Sequence, residues 1–93
     1  MEDRFFAQHP DPAKQGVSIS KAKYDVVRQA IVTALQNGKE LTLKELFVAV
    51  SKPLQGKLDG SMKWYTTVVK LDLEARKVIE RVPNAKPQRI RLR

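Results

Sequence analysis

The chain has 93 residues, no cysteine and a formal charge of +8, with 18 Lys and Arg against 10 Asp and Glu. That length suits one domain with a modest core. The lack of cysteine excludes disulfides and thiolate metal sites, and no run of about 18 apolar residues exists to span a membrane. The opening Met1-Glu2-Asp3-Arg4-Phe5-Phe6 lacks the charged-then-apolar order of a secretory signal, so a cytoplasmic protein is expected.

The first 16 residues, with Pro10, Pro12 and mixed charge, read as a loose arm, and residues 17–93 as the domain. Phe5 and Phe6 are the exception, suited to capping an edge of the core or a partner subunit. His9 is the only histidine and has no second ligand or catalytic neighbour spaced near it. Ser20 suits an N-cap, and Tyr24, Val27, Ile31, Ala34 and Leu35 then repeat at helical spacing until Asn37-Gly38 supplies a left-handed stop. A first helix over Lys21 to Gln36 follows.

Glu40-Leu41 has room for a residue or two of strand. Thr42-Leu43-Lys44-Glu45 places Thr and Glu three apart, the signature of a capping box. The second helix starts there, turns Leu43, Leu46, Phe47 and Val50 to one face, and is expected to stop at Pro53 soon after Ser51. Residues 51–60 read as a loop with Leu54 and Leu58 packed inward.

Ser61 caps a third helix reaching about Arg76. At about 100° per residue, Trp64, Val68, Leu71 and Ala75 fall together, widened by Met62, Tyr65, Val69 and Leu73. Lys63, Thr66, Thr67, Lys70, Glu74 and Lys77 form the remaining polar stripe. Trp64 and Tyr65, on the apolar side, are assigned to the core rather than to stacking on bases. Val78, Ile79 and Val82 suit a strand, Pro83 to Pro87 a turn, and Gln88 to Arg93 alternates Arg89, Arg91 and Arg93 with Ile90 and Leu92, as a half-buried strand does. The order is helix, helix, helix, hairpin: mainly α with a small β-hairpin.

This order resembles the winged helix-turn-helix superfamily over roughly Ser20 to Arg93. Leu71-Asp72-Leu73-Glu74 through Ile79-Glu80-Arg81 is similar to the end of the recognition helix and the start of the wing in bacterial winged-helix regulators. Lys23-Tyr24, Lys63-Trp64-Tyr65 and Leu71-Asp72-Leu73-Glu74 resemble, more narrowly, a small bacterial single-domain family of unknown function. Two features depart from the superfamily pattern. About ten residues join helices two and three, and Lys77 stands where many relatives place a glycine.

The charge is uneven along the chain. Residues 1–16 carry two basic and three acidic side chains, net −1; residues 17–60 carry seven and four, net +3; residues 61–93 carry nine and three, net +6. Such a skew points to a polyanionic partner. The resemblance implies duplex DNA, with the third helix in the major groove and the wing on the backbone. The candidate contacts are Ser61, Lys63, Thr66, Thr67 and Lys70 on the helix and Lys86, Arg89 and Arg91 on the wing, their hydroxyls and cations facing base edges or phosphates.

No catalytic, metal or cofactor role is assigned. The single His9 sits in the arm, the carboxylates lack metal-ligand spacing, and no glycine-rich phosphate loop follows a strand. The rival expectation is a winged-helix module that binds protein rather than nucleic acid, either an acidic partner or a second copy docked through Phe5-Phe6, Val48 and Ala49.

Overall fold

A computed structural model describes residues 3–11, 13–54 and 61–93. In chain order the elements are β1 (Arg4–Ala7), β2 (Val17–Ser20), α1 (Lys21–Ala34), β3 (Leu41–Thr42), α2 (Leu43–Leu54), α3 (Met62–Ala75), β4 (Ile79–Arg81) and β5 (Arg89–Leu92). The chain forms an α+β domain of three helices and two small antiparallel sheets, β1-β2 and β3-β5-β4.

Local chemistry sets most boundaries. Ser20 Oγ accepts the Lys23 N–H at 3.4 Å and starts α1, which ends before Asn37 and Gly38, with φ of 67° and 74°. The capping box at α2 is reciprocal: the Thr42 N–H donates to Glu45 Oε1 at 2.9 Å and the Glu45 N–H to Thr42 Oγ1 at 3.2 Å. The bond from the Thr42 N–H first, and the Thr42 hydroxyl near the carboxyl second, hold the Glu45 carboxyl below its ordinary pKa. Ser61 Oγ accepts the Trp64 N–H at 3.1 Å and starts α3.

Proline does not stop α2 where expected. The helix includes Pro53 and ends one residue later at Leu54, the ring's missing N–H and its crowding of the carbonyl four residues back falling in the last turn, where few bonds remain to be broken. Leu54 is buried, as expected of an inward anchor, but on the helix rather than in a loop. Of the loop expected over residues 51–60, residues 51–54 are helical and residues 55–60, with Leu58, lie outside the described residues, as does Pro12.

At the end of α3 a lysine does what glycine usually does. Lys77 has a φ of 66°, its N–H reaches Glu74 O at 3.1 Å, and the Val78 N–H reaches back to Leu73 O at 2.9 Å. This is the paired closure of a Schellman turn, so the left-handed stop is kept without the glycine. It aims the chain straight into β4.

One face of each helix meets in a common core. Val27, Ile31 and Leu35 come from α1 and its cap, Leu46, Val50 and Leu54 from α2, Val69 and Leu73 from α3, and Ile79 and Ile90 from the hairpin; all are buried. Leu41, the expected strand residue before α2, pairs with Ile90, and Thr42 pairs with Arg89. The hairpin register sets Ile79 opposite Leu92, Glu80 opposite Arg91 and Arg81 opposite Ile90.

The segment expected to be a loose arm contributes a strand. Arg4 to Ala7 pairs with Val17 to Ser20, Phe5 opposite Ile19 and Ala7 opposite Val17. Phe5 stacks on Tyr24 with ring centroids 4.0 Å apart, so it caps the core, while Phe6 turns outward. Closure of this hairpin depends on Gly16, where an added Cβ would stand 2.2 Å from Ala7 O and 2.8 Å from the Phe6 ring. The Gly16→Ala variant is therefore expected to lose about 1–3 kcal/mol, lowering the melting temperature by several degrees. Amide exchange should show the loss concentrated in β1 and β2.

Candidate nucleic-acid interface

A helix with polar side chains on every turn still disappears from solvent when its neighbours surround it. α3 packs against α1, α2, β1 and β4, and among its 14 residues only Lys63 and Trp64 are exposed. The stripe expected to face a groove is mostly inside. Thr66 has no exposed surface and its hydroxyl has no hydrogen-bond partner, and Lys70 is 8% exposed. Contrary to expectation, neither faces a groove: the helical periodicity holds, but the polar sector also faces protein.

The chemistry around Lys70 explains how a lysine is tolerated there. Its ammonium lies 2.8 Å from Glu74 Oε1, with both side chains about a tenth exposed, and Arg81 Nε lies 3.6 Å from the same oxygen. That oxygen makes no well-directed hydrogen bond, so the attachment is chiefly coulombic. A buried carboxylate needs a counter-charge, and Lys70 serves Glu74 rather than a ligand. Thr67 remains half-buried, and Ser61 is exposed but has its Oγ engaged as the helix cap.

On the hairpin the arginines divide. Arg91 is half-buried and donates from Nε to Glu80 Oε2 at 2.7 Å, its own cross-strand partner, with Glu40 at 3.7 Å. The bond to Glu80 and that carboxylate's charge raise the Arg91 pKa. Arg93 also reaches Glu80, at 3.8 Å. Arg91 is thus an internal partner and not a free phosphate contact. Lys86 and Arg89 are exposed and make no ion pair with another described residue, Arg89 projecting beside Thr42 and the field of Glu45. Of the eight candidates, Lys63, Lys86 and Arg89 remain as accessible cations.

Among the described residues, the side chain that gathers the most hydrogen bonds sits where only the flank of a helix is expected. Asp72 has no exposed surface, yet its carboxylate accepts the Gln8 N–H at 2.7 Å, the Tyr24 hydroxyl, and Arg76 Nε at 2.9 and 3.0 Å. The pairing of Asp72 with Arg76 four residues on was legible in the sequence; the donors from β1 and α1 were not. Arg76 also donates to Phe6 O at 3.3 Å and lies 4.8 Å from the Phe5 ring centroid. Enclosed on all sides, Asp72 meets no ligand and acts as a clamp. Among the described residues no three His, Cys, Asp or Glu side chains are grouped as a metal site, and no helix is long and apolar enough to cross a membrane.

Trp64 departs from its expected place in the core. Assigned to the core, it is 45% exposed, edge-on to Tyr65 with centroids 5.1 Å apart. In the first turn no preceding turn shelters it, and its neighbour Lys63 is exposed as well. Beside it a cleft of about 110 Å³ is lined, among the described residues, by Arg4, Ser18, Ile19, Ser20, Lys23, Trp64 and Tyr65. The triplet Lys63-Trp64-Tyr65 was the available signal, and its cationic first residue was the clue.

Over residues 5–90 the chain matches, and belongs to, a family described as of unknown function, DUF6958. No curated protein matches it. No solved structure does either.

Burial and the bond to Asp72 both push the Tyr24 pKa up from its ordinary 10.0. The folded state then keeps the phenolic proton that the unfolded chain gives up, so this group's contribution is complete below pH 10 and falls as pH climbs beyond it. Denaturant titrations of Tyr24→Phe are expected to show about 1–3 kcal/mol lower stability at neutral pH, from the donor lost to a buried carboxylate. The gap to the parent protein should narrow above pH 10.

Proposed function

We propose that this domain is a winged-helix-like module that binds nucleic acid, meeting duplex DNA through the first turn of α3 and the β4-β5 hairpin rather than along the length of α3. The element order from α1 onward, with a short β3 adding to β5 and a hairpin after α3, supports the fold reading. The carrying observation is that Lys63, Lys86 and Arg89 stay exposed and outside the ion pairs that engage Lys70, Arg81, Arg91 and Arg93. Surface cations left unpaired on a chain of charge +8 attract a polyanion.

The rival reading, a protein-binding module, has one observation in its favour. A groove of about 520 Å³ runs between α1 and α2, lined by Val26, Ala30, Ala34, Ala49, Pro53 and Leu54, with Val26 exposed at its rim and Val48 exposed on α2. A second copy or another protein docked there would use no part of the basic surface.

Anisotropy with a labelled mixed-sequence duplex separates the two. Three displaced counterions give a slope of about −3 in log affinity against log salt. Lys63→Ala, Lys86→Ala and Arg89→Ala are each expected to weaken binding and to flatten that slope by about 0.9. Lys70→Ala, which strands a buried carboxylate, should instead cost about 1–3 kcal/mol of stability and leave the slope unchanged. Absence of binding at micromolar protein in low salt, together with dimers that Val26→Asp dissolves, would transfer the assignment to the rival.

A further inference from the structure

An indole nearly half in water at the start of a helix is unusual in a small domain, because tryptophan is the side chain that gains most from burial. What surrounds Trp64 bears on what it waits for. Lys63 precedes it and is exposed; Lys23 projects from α1 with its ammonium 5.6 Å from the Tyr65 ring centroid; Arg4 is held across the cleft by bonds to Ser18 Oγ at 3.3 Å and Ser18 O at 2.8 Å. Among the described residues, serine side chains and Ile19 make up the rest of the cleft's lining. A protein-docking anchor would be expected among further apolar side chains. Here the flat apolar surface stands among cations and hydroxyls, with no acidic residue in the first turn of α3.

We propose that Trp64 is a stacking platform for an unpaired nucleobase of single-stranded nucleic acid, with Lys63 and Lys23 taking the flanking phosphates. Every base has a π face and every linkage a negative charge, so an aromatic ring beside cations holds such a strand with little regard to sequence. The indole stands edge-on to Tyr65 and nearly half exposed, and Lys23, with its ammonium 5.6 Å from the Tyr65 ring centroid, keeps its charge beside the cleft. This inference rests on the nucleic-acid reading above and adds to it a specific partner, an unpaired strand, and a specific site.

The test uses the intact chain, in which Trp64 is the only tryptophan and reports its own environment. Its emission is followed while a mixed-sequence single-stranded oligonucleotide, an abasic oligonucleotide of the same length, and a duplex are titrated in turn; anisotropy of labelled strands gives the affinities. Saturable quenching by the single strand and much less by the abasic strand is the expected result. Trp64→Ala should lower single-strand affinity about tenfold and leave duplex affinity within about twofold, since no phosphate contact is removed. Trp64→Phe should recover part of the loss, which separates stacking from any damage to folding. Binding of single strands with unchanged Trp64 emission, or equal quenching by the abasic strand, would overturn the platform and leave the nucleic-acid reading standing. Failure of all three nucleic acids to bind would overturn both.

Discussion

The architecture depends on a buried carboxylate. A charge removed from water must be met by donors, and those meeting Asp72 come from separate parts of the chain: the Gln8 N–H just past β1, the Tyr24 hydroxyl on α1, and Arg76 at the end of α3 itself. Each donor is useful only if its element is in place, so one side chain ties β1 and α1 to α3. The stacking of Phe5 on Tyr24 and the approach of Arg76 to Phe5 close the same junction with apolar contact. Sequence distance is no guide to this coupling, since Gln8 and Asp72 are 64 residues apart.

Where function can reside follows from that clamp. With β1 against one side of α3 and α1, α2 and β4 around the rest, the helix is a central strut. Its interior turns are enclosed, and the surface open to a partner moves to its first turn, where Lys63 and Trp64 emerge beside the cleft between α1 and the β1-β2 hairpin. Three helices followed by a hairpin therefore do not by themselves place an open third helix on the surface. For a member of a family of unknown function, that distinction matters more than the fold label.

Formal charge and available charge also differ. Cross-strand register puts Glu80 against Arg91, helical spacing puts Glu74 against Lys70, and both carboxylates gather further arginines. Three acidic residues in the C-terminal third thus engage most of its arginines, and the exposed cations left outside these pairs are Lys63 at the first turn of α3, Lys77 at its end, and Lys86 and Arg89 on the hairpin. Charge counting along the chain located the excess correctly by segment but could not tell which members were already occupied.

Local rules were enough for much of the rest. Capping by Ser20 and Ser61, the Thr42-Glu45 box, the Asn37-Gly38 stop and the alternation from Arg89 to Leu92 are decided by residues within a few positions of one another, and each could be read in the sequence. The periodicity of each helix likewise named most of the core. Burial is different, because it depends on how many neighbours arrive and from which side. Thr66 and Lys70 were turned inward and Trp64 outward by the packing around α3, and Arg4 to Ala7 became a strand because Gly16 permits close approach and Asp72 waits for the next N–H. Short-range hydrogen bonding belongs to the sequence; the exposure of a side chain, and hence its availability to a partner, belongs to the assembled molecule.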